Sequence, residues 1–187
     1  MAKVAVFMAD GSEEVEAITP VDLMRRAGVE VDIVSIMPAL EVVSSRGVKV
    51  VADKLLGDID FDSYDFLVLP GGIKGTENLN NCEVLKQNIV KFNEQGKGIA
   101  AICAAPTVFA GLGILNGKDS TCNPGCWEIL RGHGANVIED AKVFVNGNII
   151  TSQAMGTSVD FGLALVSYLC GEDEAEKLRK NIRFGAL

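Results

Sequence analysis

Short apolar segments that alternate with amphipathic segments are the feature of this sequence that most constrains its fold. The apolar segments are rich in β-branched residues and several are bounded by glycine or proline, which predicts buried strands. The predicted strands are residues 3–9, 29–37, 66–69 and 98–102. Residues 12–27 and 83–95 between them are predicted helices, each followed by glycine. This alternation predicts a doubly wound α/β fold, with a mostly parallel sheet sandwiched by helices.

Hairpins and two closing helices complete the predicted elements. Residues 42–51 place β-rich runs around a Ser-Arg-Gly turn, and residues 142–151 place them around Asn-Gly. Residues 157–170 and 173–183 have the pattern of helices, the second one strongly charged. The length suits one core, and no repeat or linker interrupts it, so we expect a single domain over residues 1–187.

Charge and cysteine content narrow the functional classes. The net charge of −8 and the pI near 4.7 disfavour nucleic acid and anionic membranes as partners, because both select basic surfaces. No apolar segment approaches the roughly 20 residues of a membrane span, and residues 1–10 have the pattern of a strand rather than a signal peptide. Five cysteines without framework spacing favour a reducing compartment. We therefore expect a cytoplasmic protein that acts on a small molecule.

Cys103 is the strongest candidate for a reactive side chain. It directly follows the last predicted strand, and Pro106 marks the start of the helix that comes next. Amide N–H groups and the positive dipole end of a helix stabilise a thiolate, so we expect a pKa below the ordinary value of about 8.5. The other cysteines are Cys82, Cys122, Cys126 and Cys170. Most of them are expected to be inert packing residues.

Two further segments are candidates to complete a site around Cys103. One is Gly71-Gly72 after the strand over residues 66–69, because glycine lets backbone amides approach a ligand and neighbouring strand ends share one rim. The alternative for these glycines is a plain turn. The other is Glu16, which would be an acid or base if its side chain lay over the strand ends, and a surface carboxylate otherwise.

The start of the Glu16 helix also has a predicted cap. Asp10 or Ser12 is expected to accept the first free amide N–H groups of this helix. Glu13 and Glu14 suit the positive end of the helix dipole in the first turn, and both are expected to be solvated.

The remaining motifs disfavour metal and nucleotide chemistry. Cys122, Cys126 and His133 offer three ligands but lack the compact paired spacing of structural zinc sites. His133, the single histidine, lies in a glycine-rich loop where nothing orients it toward a cysteine. Neither a Gly-x-Gly-x-x-Gly motif nor a Walker loop follows the first strand. We expect no metal and no cofactor.

Several motifs, taken in order along the chain, resemble the ThiJ/PfpI superfamily. The closest likeness is to its branch of Parkinsonism-associated deglycases, which are glyoxalase III-like, and bacterial chaperone-like relatives. The matching segments are residues 10–16, 20–28, 68–72, 100–107, 151–152 and 156–158. The resemblance implies a flavodoxin-like fold shared with class I glutamine amidotransferases, and a homodimer.

The resemblance also implies roles for single residues. Cys103 matches the oxidisable nucleophile, and Glu16 matches the acid that hydrogen-bonds to it. Gly72 and Ala104 match the residues whose backbone amides form an oxyanion hole. Further matched positions are implied to contact substrate or, for the basic residues, to lie near the site or the dimer interface. These are Gly71, Asn123 and Arg46, with Arg25 and Arg26.

The chain departs from the family pattern at two places. Asn123 stands where many relatives have histidine, and asparagine cannot shuttle a proton. Ala104 replaces the histidine that follows the nucleophile in protease-like members, which disfavours peptidase activity. The His-x-Glu element of glutamine amidotransferases is also missing, because the segment reads His133-Gly134-Ala135.

The implied function is a cofactor-independent and glutathione-independent glyoxalase or deglycase linked to oxidative or carbonyl stress. Its substrates would be reactive carbonyls such as methylglyoxal and glyoxal, or their adducts with thiols and amines. The alternative is a redox-sensing or chaperone-like protein, in which Cys103 is oxidised to sulfinic acid and protonated Glu16 donates to it. Both hypotheses use the same pair of residues.

Overall fold

A seven-stranded sheet forms the centre of the protein, for which the computed structural model describes residues 2–185. The strands are β1 Lys3–Met8, β2 Glu30–Ser35, β3 Glu41–Val43, β4 Lys49–Val51, β5 Lys54–Leu55, β6 Phe66–Leu69, β7 Gly98–Ile102, β8 Asp119–Ser120, β9 Asn136–Val137, β10 Val143–Asn146 and β11 Ile149–Ser152. The central sheet has the order β10-β11-β7-β6-β1-β2-β5. Its neighbouring strands are parallel except β10 with β11.

Helices cover both faces of this sheet. They are α1 Glu14–Arg26, α2 Ile73–Asn80, α3 Glu83–Glu94, α4 Pro106–Gly111, α5 Trp127–Gly132, α6 Ser158–Cys170 and α7 Glu172–Asn181. Two layers of helices on a mostly parallel sheet confirm the predicted doubly wound class. None of the helices within residues 2–185 has both the length and the apolar character that a membrane span requires.

The central strands are apolar at nearly every position because both of their faces are buried. In β1, Val4 and Val6 contribute to the core formed with α1, α6 and α7. Ala5 and Phe7 contribute to the core on the opposite face, formed with α3 and α4. Successive side chains of a strand point to opposite faces, so a strand covered on both sides cannot show the alternation of a half-exposed strand.

The strand order brings the carboxyl ends of β7, β6 and β1 side by side. Register pairs Leu69 with Ala101 and Val6 with Val68, so the three strands run at matched height. The chain continues from β1 to β2 on one side, whereas β6 lies on the other side, which makes this a topological switch point. Ligands of open α/β sheets bind at such points. The loops after these three strands therefore meet at one rim.

The β3–β4 hairpin stands outside the central sheet and is fixed to the loop between β1 and α1. The N–H of Val43 donates to Asp10 Oδ1 at 2.9 Å, and the N–H of Gly11 donates to the Val43 carbonyl at 2.8 Å. A third bond runs from the N–H of Ser45 to the Ser12 carbonyl at 2.8 Å. These bonds hold the turn of the hairpin against the rim.

The start of α1 differs from the expectation. Glu13 caps the helix, and its side chain accepts from the N–H of Glu16 at 2.7 Å. Asp10 and Ser12 were the predicted caps, but Asp10 holds the hairpin and Ser12 accepts a hydrogen bond inside the preceding loop. Glu13 and Glu14 are half-buried rather than solvated, because the hairpin covers this end of the helix.

Both predicted hairpins are confirmed, whereas two helices were missed. β3 pairs with β4 and β10 pairs with β11, each antiparallel, within one residue of the predicted ranges 42–51 and 142–151. The helices α2 and α5 were not predicted from the sequence. Both contain glycine, and α2 also contains two asparagines, residues with weak helix propensity, so tertiary packing outweighs local preference there.

Candidate active site

Cys103 occupies the sharp turn between β7 and α4. Its φ of 66° lies in the left-handed region that side chains other than glycine rarely adopt. Its N–H donates to the Ser152 carbonyl at 3.0 Å, and its own carbonyl accepts from the N–H of Asn123 at 2.8 Å. These two bonds keep the strained backbone in place. Strain that is maintained in this way is concentrated at functional positions.

Glu16 lies beside Cys103 and is almost completely buried. Only 1% of Glu16 is exposed, although it lies in the first turn of α1. Its Oε2 accepts from the N–H of Gly71 at 2.9 Å. Burial raises the pKa of Glu16 to about 7, while hydrogen bonds from Cys103 and from the Gly71 and Met155 amides only partly oppose this effect. The carboxyl group therefore exchanges its proton near neutral pH, as an acid or base must.

The electrostatics of the Cys103 thiol differ from the expectation. Burial, together with the charge and the hydrogen bond of Glu16, raises the pKa of Cys103 to about 12. The N–H groups of Gly72 and Ala104 act in the opposite direction but do not compensate. The prediction of a lowered thiol pKa is therefore wrong for a charged Glu16. Because the two groups are in contact, the pair holds at most one negative charge near neutral pH, and a thiolate requires that Glu16 keep its proton.

Gly71 separates these two side chains at a position with no room for a Cβ atom. A Cβ built there would lie 2.5 Å from Glu16 Oε2 and 2.6 Å from Cys103 Cβ. Gly72 follows with a φ of 85° and caps α2. The missing side chain of Gly71 thus allows Glu16 and Cys103 to approach each other, and Gly72 directs its amide to the thiol.

A cavity of about 690 Å³ opens over this pair, a size that suits a small molecule. The structure brings nearly all of the sequence-predicted site residues to its wall. These are Glu16, Arg46, Gly72, Cys103, Ala104 and Asn123. Gly71 lies behind the wall, between Glu16 and Cys103.

Further wall residues were not found by sequence reasoning. They come from the hairpin turn, from α2, from the turn after Asn123 and from the loop between β11 and α6. These are Ser44, Ser45, Lys74, Cys126, Ala154 and Met155. Met155 had a sequence signal, because it directly precedes the matched segment 156–158.

Other predicted polar residues lie outside the cavity. His133 is exposed at the end of α5 and does not reach Cys103. Arg25 pairs with Asp53, and Arg26 pairs with Asp22, each at 2.7 Å, so both arginines are held in ion pairs. Among residues 2–185, no group of three or more histidine, cysteine, aspartate or glutamate side chains is arranged to hold a metal ion.

Comparison with known sequences gives one family. The chain matches the model of the DJ-1/PfpI family over residues 2–168. The Parkinson disease protein 7 homolog of Danio rerio is 38% identical over 176 residues, which cover 93% of each protein. The Arabidopsis thaliana proteins DJ-1 homolog B and DJ-1 homolog A are 38% and 36% identical over 92% and 94% of this chain. The chain spans only 39% and 45% of the length of those two plant proteins.

Comparison with solved structures gives the same family. Toxoplasma gondii DJ-1, described as oxidized, superposes with a TM-score of 0.93 at 33% identity and covers 99% of this chain and 100% of its own. Drosophila melanogaster DJ-1beta also gives a TM-score of 0.93, at 32% identity and 97% coverage of both chains. The likeness includes the strands whose ends form the cavity.

Proposed function

Because the chain belongs to the DJ-1/PfpI family, we propose that it is a glutathione-independent glyoxalase or deglycase that acts on reactive carbonyls such as methylglyoxal and glyoxal. One observation carries this proposal. The Cys103 thiol, the Glu16 carboxyl and the amides of Gly72 and Ala104 converge at the wall of one cavity of small-molecule size. A nucleophile, an acid–base group and an oxyanion site are the parts that carbonyl addition requires.

The first chemical step is addition of Cys103 to the aldehyde. The thiolate forms a bond to the aldehyde carbon, and the carbonyl π electrons move to the oxygen. The N–H groups of Gly72 and Ala104 stabilise this oxyanion, because they already point to the sulfur. Glu16, which held its proton while the thiolate was present, then protonates the oxygen to give a neutral hemithioacetal.

The second step moves a proton between adjacent carbons. The Glu16 carboxylate removes the hydrogen from the former aldehyde carbon as a proton and returns it to the neighbouring carbon. The hydroxyl proton passes at the same time to the neighbouring oxygen, so that the hemithioacetal becomes a thioester. This is an isomerisation and needs no external oxidant. Water then cleaves the thioester, which releases a 2-hydroxy acid and regenerates the thiol. The pKa of Glu16 near 7 suits a group that both gives and takes this proton.

The test is formation of 2-hydroxy acid from methylglyoxal by purified protein without glutathione. We expect Cys103→Ala to abolish turnover, and Glu16→Gln to lower kcat by roughly 10²–10⁴-fold, as for a positioned acid or base. Cys170→Ser is the matched control, because Cys170 is exposed at the end of α6 and lies away from the cavity. Wild-type protein that forms no hydroxy acid, or a Glu16→Gln variant at the wild-type rate, would contradict the proposal.

A redox-responsive or chaperone-like protein is the second candidate function. The observation that favours it is the raised pKa of Glu16, since a protonated carboxyl can donate to a sulfinate on Cys103 near neutral pH. The Toxoplasma relative is itself described as oxidized. This function replaces the first if peroxide converts Cys103 to a stable sulfinic acid while methylglyoxal is not consumed.

The proposal includes a cytoplasmic homodimer. Exposed apolar side chains lie on α1 and at the hairpin turn, with Val15, Ile18 and Val48 40%, 36% and 48% exposed. Such residues are typical of surfaces that self-associate. The five cysteines are all free, as a reducing compartment requires.

A further inference from the structure

A second cysteine shares the cavity with Cys103. Cys126 ends a short 3₁₀ turn over Pro124–Cys126, is half-buried and lines the same wall. Cys122 differs, because it is fully buried and its thiol contacts the Asn123 carbonyl at 3.4 Å. The mechanism proposed above gives Cys126 no role.

Backbone hydrogen bonds hold the Cys126 turn against the nucleophile. The N–H of Asn123 donates to the Cys103 carbonyl at 2.8 Å, and the N–H of Cys126 donates to the Asn123 carbonyl, also at 2.8 Å. Cys126 therefore lies one turn away from Asn123, whose N–H is hydrogen-bonded to the Cys103 carbonyl. A negative charge on either Cys103 or Cys126 raises the pKa of Cys122, so Cys122 lies within electrostatic range of both of them.

The turn that carries Cys126 can adjust its position relative to Cys103. Pro124 and Gly125 are exposed, and one side-chain hydrogen bond of 3.0 Å, from the Gly125 N–H to Asn123 Oδ1, adds to the backbone hydrogen bonds of the turn. A 3₁₀ turn has poorer hydrogen-bond geometry than an α-helix, so a small shift costs little. A disulfide requires Cα atoms about 4.4–6.8 Å apart, so a bridge to Cys103 forms only if the turn holds or moves the Cα atom of Cys126 into that range.

We propose that Cys126 is a resolving thiol, which traps oxidised Cys103 as an intramolecular disulfide. The oxidant is a hydroperoxide. The Cys103 thiolate attacks the peroxide, so that an S–O bond forms, the O–O bond breaks, the sulfur loses two electrons and the departing alkoxide takes the Glu16 proton. The Cys126 sulfur then attacks Cys103 Sγ. The S–S bond forms, the S–O bond breaks, and the hydroxide leaves as water with the proton of the Cys126 thiol.

The bridge changes the fate of the oxidised cysteine. A sulfenic acid that condenses with a thiol is protected from further oxidation to sulfinic acid, and a dithiol reductant can reverse the product. The inference rests on the proposed function only in taking Cys103 as the nucleophile of the cavity. When hydroperoxide is present, the disulfide would inactivate the Cys103 nucleophile reversibly.

The experiment is non-reducing peptide mapping after treatment with a small molar excess of hydrogen peroxide, because a disulfide consumes one peroxide and a sulfinic acid consumes two. We expect wild-type protein to lose two of its five thiols and to yield one peptide pair that joins Cys103 to Cys126. Cys126→Ser, or Cys126→Ala if the serine variant folds poorly, should instead lose one thiol and carry sulfinic acid on Cys103. Cys170→Ser is the matched control and should form the same bridge as the wild type. Emission of Trp127, the single tryptophan, should change on oxidation and recover with dithiothreitol.

Three results would overturn the inference. Sulfinic acid on Cys103 of the wild type with a free Cys126 thiol removes the resolving role but leaves the nucleophile of the proposed function intact. A bridge between any other pair, such as Cys122 with Cys126, also removes it. No modification of Cys103 at all rejects this inference and the proposed function together, so the two failures are distinguishable.

Discussion

At the scale of single residues, the candidate site depends on one proton shared between Glu16 and Cys103. Burial penalises a charge on either group, and their contact penalises two charges at once. The site therefore works as a pair with one negative charge, and its chemistry depends on which atom holds the proton. The amides of Gly72 and Ala104 favour the charge on sulfur.

The raised pKa of Glu16 predicts a pH dependence of stability. The unfolded chain loses this proton near the ordinary value of 4.5, whereas the folded protein holds it to about 7. Between these values the folded state binds more protons, so the free energy of unfolding falls as pH rises. Glutamine cannot ionise, so the stability of Glu16→Gln relative to wild type should increase from pH 5 to pH 8, by up to about 3 kcal/mol.

Urea unfolding at the two pH values measures this effect. Glu14→Gln is the control whose stability difference should stay the same at both pH values, because hydrogen bonds from the hairpin lower the pKa of Glu14 below its ordinary value of 4.5. Its carboxylate stabilises the folded state at both pH values, and that contribution is lost only as pH falls below 4.5. Equal stability differences for Glu16→Gln at pH 5 and pH 8 would show that this group is not perturbed.

Gly71→Ala should damage the site without removing any reactive group. Its Cβ would collide with Glu16 Oε2 and Cys103 Cβ, so these side chains must separate. We expect turnover to fall at least tenfold, with a loss of about 1–3 kcal/mol in stability from overpacking. Gly57→Ala is the matched control, since a Cβ there meets no atom within 4 Å. Assays of methylglyoxal turnover and thermal unfolding decide the matter, and an unaffected Gly71→Ala enzyme would refute the close contact.

The sequence predicted which residues meet at the site, but it did not predict the pKa shift of the thiol correctly. The strand-to-helix position selected Cys103, and the shared rim of a parallel sheet placed Gly72 beside it. The sign of the thiol pKa shift was missed because it depends on burial and on Glu16. Glu16 and Cys103 are far apart in the sequence, so no local sequence pattern predicts their contact.

At the scale of elements, the β3–β4 hairpin positions the far wall of the cavity. Asp10 Oδ1 accepts from the N–H of Val43, and this bond ties the hairpin to the loop before α1. Arg46 lies at the turn of the same hairpin and lines the cavity. A loosened hairpin would therefore change substrate binding more than the chemistry at Cys103.

Asp10→Ala tests this role. Losing the acceptor should cost about 0.5–1.5 kcal/mol of stability and raise KM severalfold, with kcat changed less. Asp10→Asn keeps an oxygen acceptor and should restore KM. Steady-state kinetics with methylglyoxal measure both variants. A KM that is equal for wild type and Asp10→Ala would show that the hairpin does not form part of the substrate site.

Elements were predictable where local sequence and tertiary packing agree. The apolar strands and the helix with Leu85, Ile89 and Phe92 on one face lie as predicted, because burial and propensity favour the same structure. The prediction of the α1 cap was wrong because Asp10 accepts a hydrogen bond from the hairpin and Ser12 accepts one from the preceding loop. Long-range contacts of this kind leave no short-range signal.

At the scale of the whole molecule, the proposed homodimer predicts a response to charge on α1. Ile18→Asp should shift the protein toward monomer at micromolar concentration, because an exposed apolar contact is replaced by a charge. Val84→Asp is the matched control on α3, where the side chain is 53% exposed on a different helix. Light scattering of the three proteins measures the assembly. A monomeric wild type would remove the dimer from the proposal.

The doubly wound architecture was the part of the molecule that the sequence specified best. Alternating strands and helices leave few ways to cover a parallel sheet on both faces, so the class follows from the pattern. The antiparallel edge strand β10 was foreseen only as half of a hairpin. Its place in the central sheet depends on the pairing of β11 with β7.

The position of β7 between β6 and β11 bears on how the chain emerges from the ribosome. The strand that leads into Cys103 gains its second neighbour only when β11, which ends at Ser152, has been synthesised. Until then the nascent thiol lacks the carbonyl of Ser152 and the amide of Asn123 that hold its turn. Cys103 should therefore behave as an ordinary cysteine during translation and acquire its special surroundings only when the sheet closes around it.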